Sequence, residues 1–309
     1  MKTILIHSDI KGLEAFLNVM SSNLNDFKIV TTINDENISD IEVVVLWLEV
    51  PNYLERLCNL KLILSCGSGV DHIINSPNLP KKIPLIRLVD PYLRNRVSNY
   101  VSHQVNEYYR LTLENNTQLL NQLEILDSRK KSEFRIGIMG LGLIGSAIAE
   151  KLISNGFKVT GWTKTEKNRK IETVYVGEPQ LEEFAKTLNV LVCQLPLTPE
   201  TKGILNTRLF NLLPDGTFLI NTARGSHLNE DDLLLALDSG KISFTCLDVL
   251  EPHQLKKNHP FNLHEKIKIT PHIAGYIGPD TQAPYASSVI KDFYNNKSQI
   301  GTVDYLSNY

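Results

Sequence analysis

The stretch FRIGIMGLGLIGSAI, Phe134 to Ile148, admits few folds. Ile136, Ile138 and Met139 form the short apolar run of a strand covered on both faces. Gly140, Gly142 and Gly145 follow in G-x-G-x-x-G order, and Ile144, Ile148 and Leu152 then recur at helical spacing. In a chain with 17 glycines the spacing alone would prove little; the strand before it and the helix after it supply the context that the motif demands. Gly140 permits a tight turn, Gly142 lets a pyrophosphate approach the backbone, and Gly145 lets the helix lie close to the strand. The helix start offers N–H groups and the positive end of its dipole to phosphates. The stretch therefore predicts a dinucleotide site in a parallel α/β domain.

Strands are read before it at Thr3–His7, Lys28–Thr32, Val43–Trp47 and Leu62–Ser65, with helices at Leu13–Met20 and Tyr53–Cys58. This alternation predicts a parallel sheet with helices on its faces, in a first domain without a dinucleotide fingerprint of its own. Val97, Val101, Val105 and Tyr108 predict a long helix from Arg96 to about Leu113, which starts the second domain or links the two. The polar segment Glu114–Ser132, with its Arg129-Lys130-Lys131 run, reads as a surface connection. Further strands are expected at Phe157–Trp162, Val190–Leu195, Thr217–Asn221, Ile242–Val249 and Lys268–Thr270, with a helix at Asp231–Leu237 closed by Ser239-Gly240. A closing helix, Thr281–Tyr294, is expected to cross back to the first domain. The expected division is 1–97 with 283–309, and 98–282.

Composition narrows the function classes. A formal charge of −2 gives no electrostatic footprint for nucleic acid or an acidic membrane. No apolar run approaches the roughly 18 residues that span a bilayer, and MKTILIHSD reads as a first strand rather than a leader. Cys58, Cys66, Cys193 and Cys246 show no C-x-x-C spacing and sit in or beside apolar runs. They are expected to be buried free thiols of a cytoplasmic protein. No metal site is read.

The strand that ends at Trp162 leads into Thr163-Lys164-Thr165, where an NAD site would carry a carboxylate for the ribose hydroxyls. None appears before Glu166; Lys164, Lys167, Arg169 and Lys170 cluster there instead. Lysines attract a 2′-phosphate, so NADP(H) is preferred over NAD(H). The turn Cys66-Gly67-Ser68-Gly69-Val70-Asp71-His72 follows a strand end. It exposes backbone N–H groups that can hold a small carboxylate, or it simply connects two elements. Three later strand ends carry Arg224, Asp248 and His272, which can converge on one face of the sheet beside a nicotinamide. An arginine can pair a substrate carboxylate and polarise the neighbouring carbonyl, a histidine can protonate the alcohol oxygen, and an aspartate can hold the nicotinamide carboxamide. His7, His103, His227, His259 and His264 are assigned no role.

Together, Gly140-Leu-Gly-Leu-Ile-Gly145, Leu195-Pro-Leu-Thr-Pro199, Asn221-Thr-Ala-Arg-Gly225, Ala236-Leu-Asp-Ser-Gly240, Leu247-Asp-Val249 and Thr270-Pro-His-Ile-Ala274 resemble the D-2-hydroxyacid dehydrogenase family, from about Cys66 to Gly275. Trp47, Pro84-Leu-Ile-Arg-Leu88, Tyr175-Val-Gly177 and the basic loop after Trp162 resemble its glyoxylate/hydroxypyruvate reductase branch. The resemblance implies two Rossmann-like domains, a substrate cleft between them and a homodimer. It implies reduction of a small 2-keto acid. Implied cofactor contacts are Gly140, Gly142, Leu143, Ile144, Gly145, Thr163, Lys164, Thr165, Leu195, Pro196, Thr222, Ala223, Arg224, Asp248 and His272. Implied substrate contacts are Trp47, Gly67, Ser68, Gly69, Val70, Arg224 and His272.

One departure stands out. The family's catalytic trio is Arg, Glu and His, with the Glu five residues after the aspartate of L-D-V; here that place holds His253, and Glu251 lies two residues early. A carboxylate beside a histidine favours the imidazolium. Without one His272 is expected to titrate near about 6.5, leaving roughly a tenth protonated near pH 7.5. Three outcomes follow: a reductase with an acidic optimum, rescue by Glu251 through a shifted loop, or a weak or inactive dinucleotide-binding sensor.

Overall fold

The computed structural model describes residues 2–7, 12–35, 37–47, 49–114, 131–165, 171–252 and 254–305. The chain forms two compact α/β units, Met1–Tyr92 with Ile277–Tyr309, and Leu93–Tyr276. Among the described residues no helix is long and apolar enough to cross a membrane.

The first unit is a five-stranded parallel sheet in the order β2-β1-β3-β4-β5. Its strands are β1 (Lys2–His7), β2 (Phe27–Val30), β3 (Ile41–Leu46), β4 (Leu62–Ser65) and β5 (Leu85–Arg87). Successive strand residues point to opposite faces. Ile4, Ile6, Val43 and Val45 therefore join one core, with Phe16 and Met20 of α1 (Leu13–Asn23) and Ala283, Ala286 and Ile290 of α8 (Pro279–Tyr294). Leu5, Val44, Leu46 and Ile63 join the other, with Ile73 and Ile74 of the short α2 (Asp71–Ile74). The apolar run of β3 follows from this double cover. The closing helix returns the chain to this unit, where Gln282 Nε2 donates to the Cys66 carbonyl at 2.6 Å.

The second unit is a seven-stranded parallel sheet in the order β12-β11-β10-β9-β6-β7-β8. The strands are β6 (Arg135–Met139), β7 (Lys158–Thr163), β8 (Thr173–Val176), β9 (Val190–Cys193), β10 (Thr217–Asn221), β11 (Ile242–Leu247) and β12 (Ile267–Ile269). Val97, Val101 and Val105 of α3 (Pro91–Glu114) and Ile148, Ala149 and Leu152 of α4 (Leu143–Ser154) cover one face. Each such buried valine contributes about 1.5–3 kcal/mol. Helices α5 (Leu181–Ala185), α6 (Thr207–Leu212) and α7 (Glu230–Asp238) cover the other through Phe184, Phe210 and Leu233.

Three expectations change. The helix expected at Tyr53–Cys58 is a single 3₁₀ turn, Leu54–Arg56, closed by i→i−3 bonds from Arg56 N to the Tyr53 carbonyl at 2.9 Å and from Leu57 N to the Leu54 carbonyl at 3.1 Å. Helix α3 begins at Pro91, five residues before Arg96. Proline suits the first helical position, and Asp90 Oδ1 accepts the Tyr92 N–H at 2.6 Å. Cys58 is exposed, whereas Cys66, Cys193 and Cys246 are buried. The connection expected at Glu114–Ser132 lies mostly outside the described residues. Of its basic run Lys131 is described, with Nζ donating to Asn106 Oδ1 at 3.0 Å.

Candidate functional site

The turn after β6 has the shape that its glycines dictate. Gly140 has φ +95°, and a Cβ there would stand 2.6 Å from the Gln194 carbonyl oxygen at the end of β9. A Cβ on Gly145 would overlap the Gly140 carbonyl, so α4 lies against the turn. Gly142 is the N-cap of α4 and brings no side chain; the first helical turn carries no acidic residue. The backbone donors and the positive end of the dipole are thus unopposed by a local carboxylate. β6 pairs with β7 on one side and β9 on the other. The strand order therefore reverses at β6, the place where open α/β sheets hold their ligands. A cradle of backbone donors that side chains would fill fits a dinucleotide pyrophosphate.

At the end of β7, Thr163 Oγ1 donates to the Thr165 carbonyl at 2.9 Å. Lys164 is exposed, with Nζ 3.9 Å from Glu200 Oε1. The Glu200 carboxyl also accepts from Thr198 Oγ1 at 2.7 Å, and that bond holds it below the usual carboxylate range, with Lys164 assisting. Glu166, Lys167, Arg169 and Lys170 lie outside the described residues.

Neighbouring strands deliver the remaining polar groups to the same edge of the sheet. Asn221, fully buried at the end of β10, shapes the next loop: its Oδ1 accepts from Ala223 N at 3.1 Å and its Nδ2 donates to the Arg224 carbonyl at 2.9 Å. Thr222 Oγ1 donates to Gln194 Oε1 at 2.7 Å, and Arg224 Nη1 to the Ala223 carbonyl at 2.8 Å. Leu195, in the loop after β9, is buried.

Asp248, after β11, is 2% exposed. Its Oδ1 accepts from Thr270 Oγ1 at 2.6 Å and Ile273 N at 2.9 Å, and its Oδ2 from Ala274 N at 2.9 Å. Its own carbonyl accepts from His272 N at 3.0 Å. The carboxylate thus clamps the turn after β12 that carries His272. His272 itself is exposed and has φ +55°, a left-handed conformation rare outside glycine. Such strain persists where surroundings impose it, commonly at functional sites. His253 lies outside the described residues. Glu251 is exposed, and its Oε2 accepts from Ser226 Oγ at 3.1 Å.

In the first unit, Gly67, Ser68, Gly69 and Val70 follow β4. Ser65 Oγ accepts from Gly67 N at 3.2 Å, and Arg87 Nη1 donates to the Ser68 carbonyl at 2.9 Å. Because a trans peptide points its C=O and N–H in opposite directions, this bond turns the Gly69 N–H away from Arg87. Trp47 packs at the edge of the α1-side core, and its carbonyl accepts from His72 Nε2 at 3.1 Å.

Two polar residues were given no role of their own by the sequence reading. Arg87 is 9% exposed. His227 is fully buried, with its ring nitrogens each 3.2 Å from the carbonyls of Arg224 and Pro196, so it ties the loop after β10 to the loop after β9. Their signal was an arginine inside the apolar run Ile83–Val89 and a histidine two residues after Gly225. Burial pushes the thiols of Cys66 and Cys193 up to about 12, too high for nucleophilic use. Among the described residues no group of three or more metal-ligating side chains is found.

Residues 100–274 match the family described as D-isomer specific 2-hydroxyacid dehydrogenase, NAD binding domain. The glyoxylate/hydroxypyruvate reductase A of Serratia proteamaculans is 36% identical over 273 residues, 86% of this chain and 87% of that protein. Its namesake from Yersinia enterocolitica is 34% identical over 271 residues, with the same coverage. A D-isomer specific 2-hydroxyacid dehydrogenase from Xanthobacter autotrophicus, solved with NADPH and MES, superposes with a TM-score of 0.89 at 28% identity, covering 100% of this chain and 99% of that one. The NADPH-dependent glyoxylate/hydroxypyruvate reductase of Sinorhizobium meliloti, solved with NADP and sulfate, gives 0.86 at 28% identity and covers both chains fully.

Proposed function

This chain belongs to the D-isomer specific 2-hydroxyacid dehydrogenase family, and we propose that it is an NADPH-preferring reductase of small 2-keto acids, glyoxylate and hydroxypyruvate first. The observation that carries this reading is the sheet edge where Arg224, the Asp248 clamp and the strained His272 turn follow adjacent strands β10, β11 and β12, on the sheet that bears the Gly140 turn. The relatives named for glyoxylate and hydroxypyruvate, and the structures solved with NADPH or NADP, support the substrate and cofactor.

When bound, the reduced nicotinamide supplies the hydride. Gly140, Gly142, Leu143, Ile144 and Gly145 hold its pyrophosphate. Lys164, leaving Glu200, holds the 2′-phosphate beside Thr163 and Thr165. Leu195, Pro196, Thr222 and Ala223 border the nicotinamide side. Arg224 pairs the substrate carboxylate and polarises the carbonyl. His272 gives its proton to the forming alcohol oxygen. The amides of Ser68, Gly69 and Val70, with Trp47 nearby in the first unit, serve the carboxylate. The orienting place beside His272 falls to His253. The same reading makes the protein a cytoplasmic homodimer, its first unit serving substrate and its second the cofactor.

The test is oxidation of NADPH and NADH with glyoxylate and hydroxypyruvate from about pH 5 to about pH 9. A histidine acid works in its protonated form, so with His253 in the orienting place the rate is expected to fall as pH rises through about 6.5. A profile flat to about pH 8 would put a carboxylate, Glu251 first, beside His272 instead of His253. Tight NADPH binding without turnover would favour the sensor reading.

A further inference from the structure

Tyr100, on α3, has its hydroxyl 2.6 Å from Thr270 Oγ1 and 3.1 Å from Cys246 Sγ. Thr270 Oγ1 donates to Asp248 Oδ1 at 2.6 Å. A hydroxyl carries a single proton, so this last bond fixes the direction of the others. Thr270 gives its proton to Asp248 and accepts from Tyr100. Tyr100, its own proton so committed, accepts from the Cys246 thiol. Burial pushes the Tyr100 phenol above its usual range and the Cys246 thiol up to about 11, so both donor protons stay in place.

The chain of bonds ends on the carboxylate that receives the Ile273 and Ala274 amides, from the residue whose carbonyl receives the His272 amide. Removing the Thr270 proton takes one of the two donors from Asp248 Oδ1 and leaves it the Ile273 amide. The clamp then loosens at Oδ1, the oxygen that takes donors from Thr270 and Ile273 on either side of His272. Nothing else assigned to the reaction uses Tyr100 or Thr270.

We infer that Tyr100 and Thr270 are positioning residues that act through Asp248 to hold the His272 turn in its left-handed conformation. This rests on the reading of His272 as the proton donor. Both act through Asp248 and set the geometry from which His272 works.

Thr270→Val keeps the side-chain shape and removes the hydroxyl. It is expected to lower kcat for glyoxylate about ten-fold or more, with the NADPH Kd held within about three-fold. Tyr100→Phe, which leaves the Thr270–Asp248 bond in place, is expected to lower kcat about three-fold. Thr270→Ser, which restores the hydroxyl, is expected to recover turnover. The His272 imidazole Hε1 resonance, assigned by its loss in His272→Ala, is expected to move in Thr270→Val and to return in Thr270→Ser. That readout needs no turnover, so an inactive wild-type protein would sink the reductase reading while the resonance still decides this one. An unmoved resonance in Thr270→Val overturns the inference. So does a common loss of kcat, NADPH affinity and thermal stability that Thr270→Ser shares.

Discussion

The two parallel sheets end in glycine turns that do different work. After β6 the turn enters α4, twelve residues long, and its anion-holding capacity is backbone: amides at a helix start and the dipole behind them. After β4 the turn enters α2, four residues long, too short to sum a useful dipole. There the shaping is done by side chains, Ser65 Oγ on Gly67 and Arg87 on the Ser68 carbonyl. One topology therefore yields two kinds of turn for the two proposed anion sites. The first is fixed by steric contact and tolerates no added atom. The second is fixed by polar bonds and is adjustable.

The sharpest way to break this comparison is to add one methyl to each turn. Gly145→Ala would drive its Cβ into the Gly140 carbonyl, forcing α4 off the turn. We expect a loss of about 2–4 kcal/mol in unfolding free energy and a fall of roughly 100-fold or more in NADPH affinity. In Gly67→Ala the nearest atoms to the new Cβ are Gly69 O at 3.4 Å and Ser65 Oγ at 3.7 Å, which is ordinary contact. The expected stability change is under about 1 kcal/mol, with NADPH affinity unmoved. Chemical denaturation and fluorescence titration of both variants decide it; equal losses would mean that the turns are equivalent.

What the sequence discloses, and what it hides, follows the same division. The Gly140 turn was legible because steric demands select residue types at fixed spacing. The buried strands β3, β4 and β10, and the Val97-Val101-Val105 face, were legible because burial selects apolar residues periodically. The start of α3 carried a readable Asp-Pro signal that the valine period outweighed. Strands β5 and β8 are only three and four residues long, and every residue of β8 is half-exposed, so neither shows a period. Polar ties are the least legible. Tyr100 meets Cys246 and Thr270 across 146 and 170 residues of chain, and no local pattern announces such a meeting. His227 was given no role, and Arg87 only a place in a family-like stretch, because sequence alone does not separate a buried polar group from an exposed one.

Arg87 sharpens the contrast. If its bond to the Ser68 carbonyl aims the Gly69 amide, Arg87→Met should loosen one site and leave the other intact. The expected result is a rise of about ten-fold in KM for glyoxylate, with the NADPH Kd unchanged. Arg87→Lys should recover only part of the loss, since a point charge does not reproduce the planar guanidinium fork. A shift in NADPH affinity as large as that in KM would end the claim that the two turns are tuned separately.

The smallest effect belongs at the edge of the proposed cofactor site, where backbone gives way to exposed side chains. Lys164 has a side chain 79% exposed, and it faces Glu200 at 3.9 Å. A 2′-phosphate brings about −1.5 to −2 charges, against one on Glu200, so Lys164 should exchange the carboxylate for the phosphate. Water screens both contacts, which keeps the gain modest. Lys164→Ala is therefore expected to raise KM for NADPH about five-fold and leave KM for NADH within about two-fold. The NADPH effect should shrink as salt is raised, because the Debye length falls to about 3 Å at 1 M. Glu200→Gln should act in the opposite sense, lowering KM for NADPH by removing the charge that competes for Lys164. If both cofactors respond equally to Lys164→Ala, the preference for NADPH must come from elsewhere in the loop after β7.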